Sequence, residues 1–149
     1  MKIHIAADHA GFTLKEVLVA FVREELGHDV VDHSAYMYDE ADDYPRFIAS
    51  AAAEVAGDAA SRGIVLGGSG QGEAIAANRT PSIRAAVYYG GPLDIVRLSR
   101  EHNDANILSL GARFLTEEKA KEAVRLWLTT EFSGDERHRR RIAQIDELV

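Results

Sequence analysis

The chain has 149 residues, of which 46% are hydrophobic and 28% charged, the composition of one globular domain rather than of a disordered protein. Its formal net charge of −7 argues against a nucleic-acid-binding protein, which normally presents a basic face. Because the chain contains no cysteine, disulfides, thiolate metal sites and a cysteine nucleophile are all excluded.

The N-terminal segment, "MKIHIAADHAG", lacks the long apolar stretch of a secretion signal. No later stretch approaches the ~18 uninterrupted apolar residues that indicate a membrane span. We therefore expect a cytoplasmic protein with no membrane partner.

The first half of the chain alternates short β-branched segments with patterns of helical period. Apolar residues recur every three or four positions after Phe12, and Gly27 is placed to end that helix. Pro45, at the end of an acidic loop, suits the first position of the next helix. We predict strands over residues 2–7 and 29–33, and helices over residues 12–26 and 45–57.

The second half continues this alternation. Strands are predicted over residues 62–66, 83–89 and 106–111. Helices are predicted directly after the glycine-rich segment and over residues 92–103, 116–132 and 135–148, with Thr116 as an N-cap. Five such alternations, with the first, third and fifth strands mostly apolar, predict a single α/β domain with a parallel sheet covered on both faces.

Ligands of such sheets bind beyond the carboxyl ends of the strands. Polar or glycine-bearing segments follow the first, third and fifth predicted strands, namely Asp8-His9, residues 67–73 and residues 111–113. These three segments are the expected site.

The segment "IVLGGSGQGEAIAAN" at residues 64–78 fits none of three familiar glycine-loop templates. A Walker loop requires Lys and Ser/Thr after its last glycine, where this chain has Glu73. The dinucleotide fingerprint requires G-x-G-x-x-G after the first strand, whereas Gly68, Gly70 and Gly72 follow the third. The nucleophile elbow requires a glycine at the position of Gln71.

What remains is a group of backbone N–H donors at a helix N-terminus with a carboxylate at its rim. Such donors stabilise a developing negative charge, and a carboxylate there suits a base that generates an anion. Removal of the proton next to a sugar carbonyl, which gives an enediolate, is chemistry of this kind. The alternative is a tight turn in which Ser69 and Glu73 only cap the helix.

Several motifs together resemble the type B ribose-5-phosphate isomerase family, which also contains galactose- and allose-6-phosphate isomerases. They are "DHAGF", "DYP", "GGSGQGEAIAAN", "REHNDAN", "LGAR" and "RHRRR", in this order over nearly the whole chain. The resemblance implies a Rossmann-like three-layer sandwich with a five-stranded parallel sheet. It also implies no cofactor and a homodimer, or a dimer of such dimers, with shared active sites.

The reaction implied by the resemblance is the interconversion of ribose 5-phosphate and ribulose 5-phosphate through a cis-enediol. His102 would assist ring opening, Asn103 would hold a hydroxyl or the enediolate, and Asp8 would contact sugar oxygens. The phosphate would be held by three arginines, with His9 beside it: Arg113, Arg137 and Arg141. The C-terminal helix over residues 135–148 would reach the partner subunit.

One departure concerns the base. Many family members carry a cysteine where this chain has Gly67, and a threonine where it has Ser69. The chain resembles instead the cysteine-free subgroup reading "GGSGxGE", in which the glutamate is the base. Glu73 is therefore the expected base, with Ser69 and the loop glycines holding the substrate.

Simpler interpretations of the same residues stay open. His102 could cap a helix C-terminus, and Asp8-His9 could be an ordinary turn. Arg137 and Arg141 share one helix face, which could be merely solvated. The remaining notable residues carry no site role: Trp127 and Phe132 suit a core or dimer interface, and His4, His28 and His33 show no metal-ligand pattern.

Two other functions also stay open. The chain could be an isomerase of a six-carbon or four-carbon sugar phosphate, or a non-catalytic phosphosugar or nucleotide sensor. A sensor would need neither a base nor a ring opener, so the presence of both Glu73 and His102 favours an enzyme.

Overall fold

A computed structural model describes residues 1–34 and 37–148. Its strands are β1 (Lys2–Ala7), β2 (Asp29–Asp32), β3 (Arg62–Gly67), β4 (Ala85–Tyr88) and β5 (Ile107–Gly111). Its α-helices are α1 (Phe12–Ala20), α2 (Tyr44–Gly57), α3 (Gln71–Ala77), α4 (Asp94–Glu101), α5 (Glu117–Thr129) and α6 (Glu136–Asp146). None of these helices is long and apolar enough to cross a bilayer.

The five strands form one parallel sheet in the order β2-β1-β3-β5-β4. The first, third and fifth strands are therefore the three central ones, which accounts for their mostly apolar sequences. All residues of β3 and β5 are buried. Their carboxyl ends lie in register, with Gly67 opposite Gly111 and Ala7 opposite Leu66.

Helices cover both faces of the sheet and enclose two separate cores. One core joins α1, α4 and α5 to the sheet and contains Trp127, which is fully buried. The other joins α2 and α3 to the opposite face through small residues such as Ala51 and Ala52. The predicted three-layer α/β sandwich is confirmed. Phe132 is only half-buried.

Element ends differ from the prediction where local bonds override the apolar pattern. The first helix changes to a π-helical turn over Phe21–Glu25 before it ends at the left-handed Gly27, φ 70°. Strand β4 begins two residues late, after Ser82 with φ 68° and after Arg84, whose N–H bonds the Asn106 side chain. Thr116 caps α5 as predicted, accepting from the Lys119 N–H.

A buried polar chain joins the carboxyl ends of β1 and β2. The ammonium of Lys15, 1% exposed, pairs with the carboxylate of Asp32. Asp32 accepts from the Ser34 N–H at 2.8 Å, and the Ser34 hydroxyl accepts from the Ala7 N–H at 2.7 Å. Because buried polar groups need partners, this chain fixes the point where β1 ends and Asp8 begins.

Candidate active site

A cavity of about 460 Å³ opens at the carboxyl ends of the central strands. It lies where β1, β3 and β5 deliver the three segments that the sequence singled out, and Tyr44 at the start of α2 closes one side. Its lining residues are Asp8, Tyr44, Gly68, Ser69, Gly72, Glu73, Arg113 and Phe114.

The carboxyl group of Glu73 occupies the space that a side chain at position 67 would need. A Cβ built on Gly67 would overlap all three atoms of that carboxyl group. Strand β3 therefore ends in glycine because the helix α3 folds its glutamate back onto the strand end. Because of this close approach, position 67 can hold only glycine as long as Glu73 keeps its present position.

Glu73 is buried, unlike a residue that only caps a helix at the surface. Its side chain is 4% exposed although it lies in the first turn of α3. Burial raises the pKa of Glu73, its own backbone N–H lowers that pKa in part, and the nearby Asp8 carboxylate raises it further. A raised carboxyl pKa is the direction in which enzymes tune a carboxylate that must accept and return a proton near neutral pH.

The glycine loop packs flat against β5. Gly70 has φ 77°, and a Cβ there would lie 2.9 Å from the Leu110 carbonyl carbon, so both conformation and space require glycine. The Ser69 hydroxyl accepts weakly from the Gln71 N–H, at 3.3 Å. This local bond does not cap α3, because the N-cap residue of α3 is Gly70 and no side chain caps the helix. Ser69 lies instead on the cavity wall.

Arg113 lines the cavity, and His9 lies beside it. His9 Nδ1 lies 2.8 Å from the Asp42 carboxylate, and this hydrogen bond raises the pKa of His9. The Arg113 guanidinium lies over Gly68, where a built Cβ would be 3.3 Å from Nη1. A protonated His9 and Arg113 both favour an anion at this edge.

The ligand atoms of Asp8, His9 and Asp42 lie within 4.8 Å of one another. The bond between His9 and Asp42 accounts for that spacing. Asp8 in turn accepts from the Gly11 N–H at 3.1 Å.

A second cluster of predicted residues lies at the C-terminus of α4. His102 is the C-cap residue, with its N–H bonded to the Leu98 carbonyl, and Asn103 follows it on the surface. The chain reverses at Asp104, a non-glycine residue with φ 44°. Asp104 is held there by ion pairs to Arg84 at 3.1 Å and Arg100 at 2.8 Å. The turn that presents His102 is therefore fixed on both sides.

Helix α6 brings its two predicted arginines to this second cluster. Arg137 and Arg141 are exposed, and neither forms an ion pair with another described residue. His138, between them, is 5% exposed and stacks on His102 with ring centroids 4.4 Å apart. Arg139 and Arg140 are exposed, and among residues 1–34 and 37–148 their guanidinium groups bond only Gly134 and Glu136.

The predicted site residues thus form two groups within the described chain. Asp8, Ser69, Glu73 and Arg113 share the cavity with Gly68 and Gly72, and His9 lies beside them. The third predicted loop glycine, Gly70, packs against β5 and does not line the cavity. The other group does not line that cavity; it comprises His102, Asn103, Arg137 and Arg141.

Sequence reasoning missed three contacts. Tyr44 and Phe114 line the cavity, and His138 stacks on His102. The motif "DYP" was the only signal for Tyr44.

A larger cavity, of about 600 Å³, lies at the opposite, amino-terminal edge of the sheet. Its guanidinium groups bond backbone carbonyls: Arg62 bonds Trp127 and Leu128, and Arg100 bonds Ala105. These bonds close helix and strand ends. The residues that line this cavity include no buried glutamate beside a glycine loop. The candidate site is therefore the cavity at the carboxyl ends of the strands, which contains Glu73.

Comparisons with known proteins agree with this geometry. A family model described as Ribose/Galactose Isomerase matches residues 3–145. The ribose-5-phosphate isomerase B of Mycolicibacterium paratuberculosis is 43% identical over 142 residues, which are 95% of this chain and 87% of that protein.

Two solved structures are also similar. The ribose-5-phosphate isomerase B of Clostridium thermocellum is 42% identical with a TM-score of 0.92, over 99% of this chain and 97% of that chain. The enzyme of Mycoplasma genitalium, solved with bound ribulose 5-phosphate, is 34% identical with a TM-score of 0.91, over 99% and 95% of the two chains. The chain therefore belongs to the ribose/galactose isomerase family, as its motifs indicated.

Proposed function

We propose that this chain is an aldose–ketose isomerase that interconverts ribose 5-phosphate and ribulose 5-phosphate. The observation that carries the proposal is the buried Glu73 carboxyl, folded against Gly67 in a cavity that also presents Asp8, Ser69 and Arg113. The relatives named as ribose-5-phosphate isomerases, one of them solved with ribulose 5-phosphate, support the choice of substrate.

Glu73 removes the C2 proton of the open-chain aldose and returns a proton to C1. The intermediate is a cis-enediolate, whose negative oxygen is stabilised by Ser69 and the loop N–H groups. The N–H groups of Ser69 and Gly70 donate to no other backbone carbonyl in the described ranges, so they are available to it. Asp8 contacts the sugar oxygens, between which one proton must also move. Donors that engage charge only as the proton leaves act mainly on the transition state.

The phosphate and the ring oxygen are handled by the second group of residues. Arg137 and Arg141 hold the dianion, together with Arg113 and His9 on the cavity side. His102 assists opening of the furanose ring, and Asn103 holds a hydroxyl or the enediolate. Arginine suits this role because its planar donors match phosphate oxygens in pairs.

A homodimer with shared sites is part of the proposal. The two groups of residues lie in different places on one chain, and a second copy could supply the missing group to each cavity, with α6 reaching across. The expected cytoplasmic location stays a prediction, which cell fractionation would check.

Mixing two variants that each have a low kcat/KM, assayed at low substrate concentration, tests the sharing of sites. Glu73→Gln damages one group and Arg137→Ala the other, so a hybrid dimer with shared sites has one intact site. Co-refolded mixtures should therefore recover roughly a quarter of wild-type activity, because about half of random dimers are hybrids. Recovery of no activity would show that each chain builds its site alone.

The central experiment combines substrate comparison with proton exchange. Ratios of kcat/KM for ribose 5-phosphate, allose 6-phosphate and a tetrose phosphate separate the pentose isomerase from its family alternatives. Glu73→Gln keeps the shape of the side chain and should lower kcat by roughly 10²–10⁴, with little change in binding. If C2-proton exchange with deuterated water continues at the wild-type rate in Glu73→Gln, another residue is the base. A wild-type protein that binds the phosphosugar without any exchange would be a sensor.

A further inference from the structure

Asp42 is a nearly buried carboxylate whose one cationic partner among the described residues is His9. Its side chain is 10% exposed, although its neighbours Ala41 and Asp43 are exposed. The Oδ1 atom of Asp42 accepts two hydrogen bonds from His9, one from the backbone N–H at 3.1 Å and one from ring Nδ1 at 2.8 Å. A carboxylate is unfavourable in such a position unless it is paired, so Asp42 and His9 form one unit.

The bond to Asp42 decides which atom of the His9 ring can meet a ligand. Nδ1 carries the proton that it donates to Asp42, so Nε2 is the ring nitrogen left for another partner. The ring is also held from the side by Tyr38, which lies edge-on with ring centroids 6.2 Å apart. Since the His9 side chain is 27% exposed, a ligand in the neighbouring cavity can reach it.

The charged groups around the ring favour its protonated form. The hydrogen bond to Asp42 is the largest cause that raises the pKa of His9, burial opposes it, Asp8 raises the pKa further, and Arg113 lowers it. Tyr38 is the other titratable side chain that faces the ring. Asp8 and Arg113 line the cavity, whereas Asp42 lies behind the ring. The carboxylate behind the ring therefore does most to keep it a cation.

The same unit places a positive charge between an acidic loop and the cavity. The loop before α2 carries four carboxylates, which would repel a phosphate dianion, namely those of Asp39, Glu40, Asp42 and Asp43. With His9 protonated, the charges of Asp42, the ring and an incoming phosphate alternate in sign. A carboxylate that accepts from one ring nitrogen commonly orients an imidazolium in this way and stabilises its charge.

We propose that Asp42 is a positioning residue for substrate binding, which holds the His9 ring through Nδ1 so that a protonated ring presents Nε2–H to the substrate phosphate. Through the His9 backbone N–H, the same carboxylate ties its loop to the end of β1, and Tyr44 on the cavity wall follows two residues later. This inference rests on the proposed function, in which His9 helps to hold the phosphate.

The test uses variants of the full chain that separate charge from shape. Asp42→Asn keeps the shape and an oxygen acceptor but removes the charge. His9→Phe keeps a flat ring without nitrogens. Glu40→Gln, which removes one charge from an exposed position of the same loop, is the matched control. The measurements are kcat and KM for ribose 5-phosphate and the inhibition constant of inorganic phosphate, at about pH 5.5 and about pH 7.5. An NMR titration gives the pKa of the His9 ring without any assay of activity.

We expect Asp42→Asn to lower the pKa of His9. At about pH 7.5 its KM and its inhibition constant for phosphate should exceed the wild-type values about three- to tenfold, because fewer of its rings are protonated. At about pH 5.5 both rings are protonated, so the excess should be below about twofold. Titration of the substrate phosphate affects both proteins alike and cancels from these ratios.

The effect should be confined to binding and should act through His9. In Asp42→Asn, kcat should stay within about twofold of wild type, because His9 holds the phosphate and not the reacting carbons. In the His9→Phe background, Asp42→Asn should add no further increase of KM, since the two residues act as one unit. Glu40→Gln should match the wild type at both pH values.

The inference is overturned if the excess in KM is the same at both pH values, or if kcat falls while KM stays constant. A further increase of KM in the His9→Phe background would overturn it too, because the effect would then lie in the loop that carries Tyr44. A lowered pKa of His9 without any change in KM has the same meaning. If Asp42→Asn fails to fold, the ratio of KM in His9→Phe to KM in the wild type decides, since it must fall as the pH rises through the measured pKa of His9.

Failure of the proposed function is recognised separately. A wild-type protein without activity on ribose 5-phosphate would overturn the isomerase assignment. Calorimetric binding of inorganic phosphate to the wild type and to Asp42→Asn, at the same two pH values, would then test the role of Asp42 by itself. Equal affinities of the two proteins at about pH 7.5 would overturn this inference alone.

Discussion

A single added methyl group at Gly67 should inactivate the protein without removing any functional group. In Gly67→Ala, the new Cβ would fall on the carboxyl group of Glu73. Real Cβ contacts below 3.0 Å essentially do not occur, so the Glu73 carboxyl must move by about 1 Å or more, a displacement that can lower a rate about 100-fold. If the carboxyl leaves the cavity altogether, kcat should fall by the full 10²–10⁴ or so expected for loss of a general base.

The cost in stability should be smaller and separable from the loss of activity. Overpacking a buried strand end typically costs about 1–3 kcal/mol. Gly63→Ala is the matched control, because it lies in the same strand and its Cβ would meet the Ile107 side chain at 2.9 Å, far from the carboxyl. Both variants should lose stability in urea unfolding, and only Gly67→Ala should lose kcat.

The assay is steady-state isomerisation of ribose 5-phosphate, with unfolding curves for each variant. A third variant, Gly67→Ala/Glu73→Ala, removes the colliding carboxyl and should regain part of the stability that Gly67→Ala loses, while remaining inactive. A Gly67→Ala enzyme with a wild-type kcat would refute the reasoning, because the base would then lie somewhere other than against this strand end.

Three further predictions concern other parts of the molecule. Arg137→Ala or Arg141→Ala should raise KM for ribose 5-phosphate at least tenfold, because each charge-assisted contact to the phosphate contributes about 1.5–3 kcal/mol. Free ribose should be a very poor substrate of the wild-type protein. A kcat/KM for ribose comparable to that for ribose 5-phosphate would show that the phosphate is not an anchor. His4 and His33 share a 2.9 Å hydrogen bond, and burial lowers the pKa of each. Below about pH 6.5 the unfolded chain therefore binds more protons than the folded chain, so the free energy of unfolding should decrease as the pH is lowered. This decrease should be less steep in His33→Gln. Equal slopes for the two proteins, measured by urea unfolding at several pH values, would count against this. Asp104→Ala should lower the free energy of unfolding by about 1–3 kcal/mol. Asp104→Asn should lower it less, because asparagine tolerates a positive φ better than alanine does. Equal losses in the two variants would assign the whole effect to the ion pairs.

The arrangement of the cavity was predictable because it depends on strand order and strand ends. The alternating pattern with apolar strands one, three and five indicated a parallel sheet covered on both faces, and the carboxyl ends of parallel strands lie at one edge of the sheet. Asp8, Glu73 and Arg113 therefore came together from spacing alone, before any resemblance was considered.

What escaped prediction depends on contacts between elements distant in sequence. Nothing in the spacing showed that Glu73 fills the space beside Gly67, or that His138 would stack on His102. His4 and His33 showed no partner pattern, yet β1 and β2 place them side by side. The π-helical turn over Phe21–Glu25 has the same apolar period as an ordinary helix, so periodicity could not reveal it.

The central position of β3 and β5 has a consequence for hydrogen exchange. Amides in the middle of a buried sheet exchange only when the domain opens globally, so the strand end at Gly67 should be among the slowest regions. Helix α6 buries one side chain of its own and should open locally at a much smaller free-energy cost. The carboxyl group of Glu73 therefore lies against the part of the molecule that opens last, and the two helix arginines lie on a part that opens early. A bound phosphosugar should slow exchange chiefly in α6.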